Sequence, residues 1–475
     1  MTLNLKPTVM RAAVLTALLI LSACATMGPD YERPTPQTPE SYRTETVSAE
    51  YMVNLRWWEL FKDPALYDLV KTALEKNRDV NIAAARIEEA RAALGFTRAD
   101  QYPRLDINAG AGTGNFAGGS RSDNEVTNLY IAPTASWEID FWGKFRRSTE
   151  AARAELMATE YGLKTLQLAL VSEVVAAYYQ LLDFQQRLAI AERTLESRLK
   201  SLDIIQQRFD QGIIPEIDLN QAQIQKEIAE GAIPLYKRQI ALTENALSIL
   251  VGRLPAPVDM GSDLSDQPLP PAIPMGLPSE ILQRRPDVAQ TTALLHAQTA
   301  RIGVAVALRF PAVSLTGILG VASTEVGSVT SDGGAWFVGG SLLGPIFDFD
   351  KSAQRVAVEE ARTRQAMFQY ESSVLTAFRE VEDALVEIET YNVEIASVER
   401  KLAAARNASA LSAERYDKGV TSYLEVLEAD RTLFSVELER SEVDQQLFRA
   451  YVGLYKALGG GWLTREERES SDATR

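Results

Sequence analysis

Residues 208–212 read Arg208-Phe-Asp-Gln-Gly212, and 207 residues further on the chain repeats the pattern as Arg415-Tyr-Asp-Lys-Gly419. Three other landmarks recur at an almost constant offset of 208 residues: Asn77-Arg-Asp-Val80 as Arg285-Pro-Asp-Val288, Tyr102-Pro103 as Phe310-Pro311, and Ile139-Asp-Phe141 as Phe347-Asp-Phe349. An offset that hardly changes across four landmarks indicates an internal duplication. The 475 residues are therefore interpreted as one architecture built from two copies.

Each copy contains a segment with the period of a β-hairpin. A helical pattern that begins near Asp63-Pro64 and runs to about Ala99 gives way, from Arg104, to apolar residues that alternate with polar or small ones. This two-residue period is typical of a strand with one apolar face. The first copy predicts two strands around a turn at residues 118–125. The second copy predicts two strands around a turn at 325–334, with a return strand from Ala335 to about Phe349.

The predicted strands are long enough to cross a membrane, because about 10 residues suffice when a strand is tilted. Four strands cannot close a barrel, and open sheet edges are not tolerated in lipid. A membrane barrel would therefore have to be shared between chains, and two, three or four chains would supply 8, 12 or 16 strands. The pattern alone leaves these three possibilities open.

A very long helix follows each hairpin. Residues 143–209 and 351–416 contain no proline, and each stretch would extend for roughly 100 Å as a helix. Their apolar residues repeat every seven positions, which predicts left-handed supercoiled packing: Val174, Leu181, Leu188, Leu195 and Leu202 in the first copy, and Val374, Val381, Ile388, Ile395 and Leu402 in the second. Gly212 and Gly419 are suited to end these helices. Returning helices are predicted over residues 217–251 and 422–458.

The N-terminus has the layout of a secretory signal. Lys6 and Arg11 precede the apolar stretch from Ala12 to Leu21, which is too short to span a bilayer as a helix. Small residues then lead to Cys24, the only cysteine in the chain. This arrangement resembles a bacterial lipoprotein signal, so we predict cleavage before Cys24 and acylation of its thiol. No later run of 18 uncharged apolar residues appears.

Composition argues against several functions. The formal net charge is −15 and no cluster of Lys and Arg is present, so nucleic acid is not an expected partner. The chain contains one histidine, His296, and a single histidine is more often structural than catalytic. One histidine and one acylated cysteine do not form a metal cluster. We therefore predict that the chain is not an enzyme and carries no cofactor apart from the covalent lipid on Cys24.

Short motifs spread over the whole mature chain add a resemblance: Gly28-Pro-Asp-Tyr31, Trp57-Trp58, Arg285-Pro-Asp287, Arg415-Tyr-Asp-Lys-Gly-Val420 and Tyr455-Lys-Ala-Leu-Gly-Gly-Gly-Trp462. Together they resemble the outer membrane efflux protein family of TolC-like channels, and within it the NodT-like lipoprotein subgroup that serves tripartite multidrug efflux systems of the RND type. The resemblance implies a mixed, mainly α fold. Three chains would form a 12-strand β-barrel, four strands per chain, continuous with a long α-helical periplasmic barrel.

The predicted organisation divides the chain into six parts: a lipoprotein signal peptide at 1–23, an N-terminal tether at 24–62, a first outer-membrane-efflux repeat at 63–252, a proline-rich linker at 253–277, a second repeat at 278–459 and a C-terminal tail at 460–475.

The resemblance implies an exit duct that passively conducts drugs or other small molecules to the cell exterior. Its implied partners are two further copies of the chain in a homotrimer, a periplasmic adaptor (membrane fusion protein), an inner-membrane RND-type pump and outer-membrane lipid. It would be lipid-anchored in the outer membrane and extend into the periplasm. An alternative is the exit duct of a type I protein secretion system. A structural coiled coil of the envelope, without a pore, is a third possibility.

The resemblance also implies a gate at the periplasmic end, close to the helix that follows Gly419. The matching positions are Tyr416, Leu424, Glu425, Glu428 and Arg431, and Asp218 is the counterpart of Glu425 in the first copy. Three-fold symmetry would bring three copies of each acidic residue together, and like charges so close repel each other and attract cations. We predict that pairs such as Glu428 with Arg431, or Tyr416 with Asp218, restrain them.

Overall fold

The computed structural model describes residues 26–36, 39, 42, 61–117, 120–270, 282, 284–323 and 334–460. Cys24 and Trp57-Trp58 lie outside these ranges. The elements follow in the order α1 (Pro64–Lys76), α2 (Arg78–Ala99), β1 (Arg104–Ala117), β2 (Ser120–Ile139), α3 (Lys144–Asp210), α4 (Glu216–Leu250), a short 3₁₀ turn (Leu264–Asp266), α5 (Pro286–Ala307), β3 (Ala312–Ser323), β4 (Gly334–Leu343), α6 (Lys351–Asp417) and α7 (Tyr423–Ala457).

The described residues fall into two compact units. The first takes its residues from Met1–Thr35, Ala85–Glu160 and Gln290–Glu371, and it contains the sheet. The second takes its residues from Pro36–Ala84, Tyr161–Ala289 and Ser372–Arg475, and it contains the helical hairpins.

The duplication is visible in the lengths of the helices. Both α3 and α6 have 67 residues, and both α4 and α7 have 35. Residues of α3 and α4 therefore correspond to residues of α6 and α7 at a constant offset of 207 along the whole of each helix.

The single helix predicted from Asp63 to Ala99 is interrupted. Asp63 caps α1 as expected, accepting hydrogen bonds from the amides of Ala65 and Leu66. At Asn77, however, the backbone leaves the helical region with φ −58° and ψ 134°. The Asn77 side-chain oxygen accepts the amides of Asp79 at 2.9 Å and Val80 at 3.1 Å, so it starts a new helix. A local side-chain cap outweighs the continuous helical pattern here.

The sheet contains four antiparallel strands in the order β1-β2-β3-β4. β2 and β3 join the two copies, with register from Leu129↔Ser323 to Ile139↔Val313. Among the described residues, β1 and β4 each have a strand neighbour on one side only. Apolar side chains of these outer strands are open to the surroundings: Leu105 is 80% exposed and Val338 is 77% exposed. The sheet thus has two free edges and uncovered apolar side chains.

Two predicted strand boundaries are wrong. The return strand of the second copy ends at Leu343 and not near Phe349. Pro345 supplies no backbone donor, and Phe349 and Asp350 adopt positive φ values of 50° and 62°, which a strand cannot accommodate. In the first copy β2 already begins at Ser120, within the predicted turn, because polar residues can continue a ladder of backbone hydrogen bonds. Most of the second predicted turn lies outside the described residues.

The long helices bury the predicted heptads in part. Val174 and Leu181 of α3 and Val374 and Val381 of α6 are buried. Among the described helices, α3 has the one stretch that is apolar enough and long enough to cross a membrane by length and composition, although it is not a run of 18 uncharged apolar residues. Of this stretch, 56% is buried inside the chain, as in the core helix of a soluble protein.

Candidate functional site

The repeated motif forms the tip of each helical hairpin. Gly212 and Gly419 adopt φ values of 72° and 70°. At the first tip the Gly212 amide donates to the Phe209 carbonyl and the Ile213 amide to the Arg208 carbonyl, and the second tip repeats both bonds. These are the bonds of a Schellman motif, which needs a residue in the left-handed region at the position of the glycine. The glycines therefore fix where each long helix ends and where the returning helix begins.

Glu425 and Glu428 are paired within the second hairpin. Glu425 Oε1 lies 3.3 Å from Nε of Arg415, and the Thr421 hydroxyl donates to its carboxylate. Glu428 Oε2 lies 3.6 Å from Nη1 of Arg431, as predicted. The Glu428 and Arg431 side chains are 69% and 60% exposed, and a helical pair this exposed contributes about 0.3 kcal/mol. The Glu428–Arg431 pair lies on one helix, α7, so within one chain it does not join the two hairpins.

Tyr416 is held by other residues than predicted. Its ring lies 5.3 Å from that of Tyr423, and the guanidinium carbon of Arg208 lies 4.9 Å from its centre. The Tyr416 hydroxyl is buried and has no hydrogen-bond partner among the described residues, so the expected bond with Asp218 is absent. The ring packs between Arg208 and Tyr423, and this packing takes precedence over a hydrogen bond to the carboxylate.

The remaining predicted positions lie at the starts of the returning helices. Asp218 is in the first turn of α4, where a negative charge interacts favourably with the helix dipole. Leu424 is in the first turn of α7 and is 61% exposed. Between the hairpins, burial raises the pKa of Tyr423 to about 12.

An ion pair that the sequence analysis missed joins the two tips. Arg208, at the end of α3, places Nη2 3.1 Å from Oδ1 of Asp417, at the end of α6. Together with its contact to the Tyr416 ring, Arg208 is thus bound to the other hairpin by two interactions. The signal was present in the sequence, because Arg208 and Asp417 belong to the two copies of the repeated motif.

A buried polar cluster of residues from all four long helices was also missed. Arg198 of α3 is buried, donates from Nη1 to the Gln225 carbonyl of α4, and packs 5.0 Å above the Phe434 ring of α7. Asp430 of α7 accepts a hydrogen bond from the Ser409 hydroxyl of α6 at 2.6 Å. Burial lowers the pKa of Arg198 and raises that of Asp430. The available signal was a charged residue, Arg198, between the heptad positions Leu195 and Leu202.

In the first unit, the segment that follows Cys24 in sequence is bound at Arg147, a buried residue. Arg147 donates to the carbonyl of Met27 at 3.1 Å and forms ion pairs with Asp30 and Glu150. His296 lies 2.9 Å from Glu150 and stacks on Tyr31 with ring centroids 4.4 Å apart. His296 thus has structural partners. Cys24 itself lies outside the described residues, so its acylation stays a prediction.

Comparison with known proteins gives consistent matches. The model of the outer membrane efflux protein family matches residues 69–253 and 277–460. The cation efflux system protein CusC of Escherichia coli O6:H1 is 32% identical over 453 residues, covering 94% of this chain and 97% of that protein. The toluene efflux pump outer membrane protein TtgI of Pseudomonas putida is 34% identical over 466 residues, with coverages of 94% and 97%.

Two further matches extend this result. The probable outer membrane lipoprotein SilC of Salmonella typhimurium is 31% identical over 455 residues, covering 94% of this chain and 98% of that protein. The solved structure of the outer-membrane channel OprN is similar with a TM-score of 0.86 and 31% identity, covering 92% of this chain and 100% of that chain. The similarity therefore extends over nearly the full length in both sequence and fold.

Proposed function

Because the chain belongs to the outer membrane efflux protein family, we propose that it is the passive exit duct of a tripartite efflux system. It has the mainly α fold of that family and is an outer-membrane efflux protein. In the proposed duct three chains join their sheets into one 12-strand barrel and their hairpins into one periplasmic tunnel. A periplasmic adaptor and an inner-membrane RND-type pump deliver the cargo and supply the energy.

The observation that carries this proposal is the open sheet. Backbone groups at the free edges of β1 and β4 would lack hydrogen bonds in lipid, where each unsatisfied group costs several kcal/mol. Pairing β4 of one chain with β1 of the next removes every edge once the ring closes. The exposed apolar side chains of the strands, such as Leu105 and Val338, would then face lipid acyl chains.

The number of chains can be measured directly. We expect native mass spectrometry of the detergent-solubilised protein to give three chains, and planar-bilayer recordings of the same preparation to show discrete conductance steps. A monomer, or a trimer that never conducts in a bilayer, would contradict the proposed duct.

The residues at the hairpin tips support a gate within this duct. In the structure Arg208 links α3 to Asp417 and Tyr416 of α6, while Glu425 is bound to Arg415. In a trimer these contacts would surround one axis in triplicate. We propose that they hold the tunnel narrow until the adaptor engages the tips.

Anchoring by a lipid on Cys24 is part of the same proposal. Several acyl chains on one residue bind a membrane far more firmly than a single chain does. Mass spectrometry of the mature N-terminus should show a modified Cys24 as the first residue, and an unmodified cysteine would exclude lipid anchoring.

The names of the relatives favour efflux of small solutes over type I secretion, since CusC is named for cations and TtgI for toluene. The two relatives are named for different cargoes, so family membership does not assign one to this chain. Co-purification separates the pathways: an RND-type pump bound through an adaptor supports the proposal, whereas an ABC exporter would favour the secretion duct.

A further inference from the structure

A cavity of about 190 Å³ lies between α3 of the first hairpin and the two helices of the second hairpin, within the second compact unit. Helix α3 lines one side of it with Arg193, Thr194, Ser197 and Arg198, and α6 and α7 line the other side. One water molecule takes up about 30 Å³ in the liquid, so the cavity has room for a small ion together with several waters. The charge and hydrogen-bonding groups of its lining therefore determine what it can bind.

One wall of this cavity contains a buried arginine with an unused donor. Arg198 is 6% exposed. Its Nη1 donates to the Gln225 carbonyl and its guanidinium packs on the Phe434 ring, but Nη2 is buried and has no hydrogen-bond partner among the described residues. Arg198 also forms no ion pair with a carboxylate in the part of the chain that the structure describes. Burying a guanidinium without an anionic partner is costly, so an anion that reaches Nη2 would be bound strongly.

Three further donors on α3 line the same cavity. The hydroxyls of Thr194 and Ser197 form no hydrogen bond with the described residues, and the exposed Arg193 forms no ion pair with them. Thr159 and Thr165 of the same helix instead donate to the carbonyl four residues earlier, which leaves their hydroxyls engaged. The α3 side of the cavity thus presents two guanidinium groups and two hydroxyls that are available to a ligand.

We propose that this cavity binds a small tetrahedral oxoanion, of the class of sulfate and inorganic phosphate, through Nη2 of Arg198 and the three other α3 side chains. A carboxylate is bound best by two nitrogens of one guanidinium lying side by side. Here Nη1 of Arg198 is already used by the Gln225 carbonyl, so the available donors belong to four different side chains. Donors from several side chains suit an anion whose oxygens point in several directions.

Asp430 of α7 lines the opposite side of the cavity and would repel an anion while it is ionised. The Ser409 hydroxyl donates to its carboxylate at 2.6 Å, and burial raises the pKa of Asp430 above the ordinary aspartate value. An anion nearby favours the protonated carboxyl still further. Binding should therefore be accompanied by the uptake of a proton on Asp430, and it should become tighter as the pH falls.

The other charged and titratable groups around the cavity keep the sign of this dependence. Glu437 of α7 lies 3.4 Å from Arg406 of α6 in an ion pair. Tyr423 and Arg431 of α7 interact electrostatically with the cluster. Tyr423 stays neutral, because burial raises its pKa to about 12, and Arg431 stays charged throughout. The contact from α4 is a backbone carbonyl, which does not titrate. Asp430 is therefore the group expected to take up the proton.

Equilibrium dialysis with radiolabelled sulfate tests the site in the full-length, detergent-solubilised protein. Sulfate stays fully ionised between pH 5.5 and pH 7.5, so a dependence of its binding on pH comes from the protein. The ionic strength is kept constant with sodium chloride, and unlabelled phosphate and acetate serve as competitors. Circular dichroism and native mass spectrometry establish that each variant is folded and assembled like the wild type.

Four variants locate the bound sulfate. Arg198→Gln should weaken binding about tenfold or more, because it removes a buried charged donor. Arg193→Gln and Thr194→Val should each weaken it about fivefold, and they keep the test valid if Arg198→Gln does not fold. Arg238→Gln is the matched control for Arg193→Gln and should bind like the wild type. Arg238 is likewise exposed and forms no ion pair with the described residues, but it lies on α4 outside the cavity.

We expect one saturable sulfate per chain, displaced by phosphate more effectively than by acetate and bound more tightly at pH 5.5 than at pH 7.5. Asp430→Asn should abolish this dependence on pH, whereas Glu437→Gln should keep it.

The absence of saturable sulfate binding would overturn the inference. Binding that Arg193→Gln and Thr194→Val leave unchanged, that prefers acetate to phosphate, or that keeps its dependence on pH in Asp430→Asn would overturn it as well. The inference goes beyond the proposed duct, which is tested by the number of chains and by conductance and would stand if the protein bound no sulfate.

Discussion

Replacing Arg208 by alanine should open the proposed gate more than any change to Glu428. At the tips, Arg208 binds the first hairpin to the second, through Asp417 at 3.1 Å and through the Tyr416 ring at 4.9 Å. Glu428 and Arg431 lie on the same helix, so Glu428→Ala removes no link between the hairpins of a chain. Comparing the two variants therefore distinguishes the effect of losing a link between the hairpins from the effect of losing a charge on one hairpin.

The expected sizes follow from the contacts. A partly exposed ion pair contributes about 0.5 kcal/mol and an exposed cation–π contact about 0.5 kcal/mol or slightly more. Arg208→Ala would therefore cost the closed tip about 1 kcal/mol per chain and about 3 kcal/mol in a trimer, or a factor of roughly 100 in the ratio of closed to open. Asp417→Asn loses only the ion pair, so about tenfold is expected. Glu428→Ala should give about fivefold or less.

Single-channel recording in planar bilayers measures this ratio as the fraction of time spent in the high-conductance state. Lys200→Ala is the control, because it breaks an exposed ion pair with Glu196 that lies within α3 and joins no two helices. We expect the order Arg208→Ala, Asp417→Asn, Glu428→Ala, with the control like the wild type. If Glu428→Ala opens the channel and Arg208→Ala does not, with intact trimers in both cases, the link between the hairpins is not what holds the tip closed.

Three further predictions concern stability and are measured by thermal or urea unfolding. Gly419→Ala should lower the free energy of unfolding by about 1 kcal/mol, because the glycine has a φ of 70°. Gly231→Ala, inside α4 with open space around it, should raise the free energy of unfolding by up to about 1 kcal/mol. Equal effects of the two substitutions would refute the conformational argument. Asn77→Ala should lower the free energy of unfolding by about 1–2 kcal/mol, because it removes the cap of α2 and the 2.9 Å hydrogen bond to the Leu250 carbonyl. Asn81→Ala, at an exposed position of the same helix, is the control and should be nearly neutral. Burial raises the pKa of Asp430, so its folded form holds a proton more tightly than its unfolded form, and stability should fall as pH rises from the ordinary aspartate pKa toward the raised one. Asp430→Asn should therefore help more at pH 7 than at pH 4, and a gain that is the same at both pH values would contradict the assignment.

The sequence predicted features that depend on neighbouring residues and on periodicity. The positive φ of Gly212 and Gly419, the cap at Asp63 and the bounds of the long helices to within two residues all follow from local chemistry. The break at Asn77 was missed because its cap competes with a helical pattern that continues on both sides. Arg198 was missed because a charged residue interrupts an apolar heptad pattern, whereas its contacts here come from two other helices, α4 and α7.

The tip shows how two copies of one motif come to make different contacts. By symmetry of the repeat, Arg208 and Arg415 should each bind the acidic residue that begins the returning helix of its own hairpin. Arg415 does so, with Glu425 at 3.3 Å. In the first copy the corresponding acidic residue is Asp218, which is shorter by one methylene group, and Arg208 instead binds Asp417 of the other hairpin. One hairpin therefore closes on itself, whereas the other is joined to its neighbour, where Arg208 contacts both Asp417 and the Tyr416 ring.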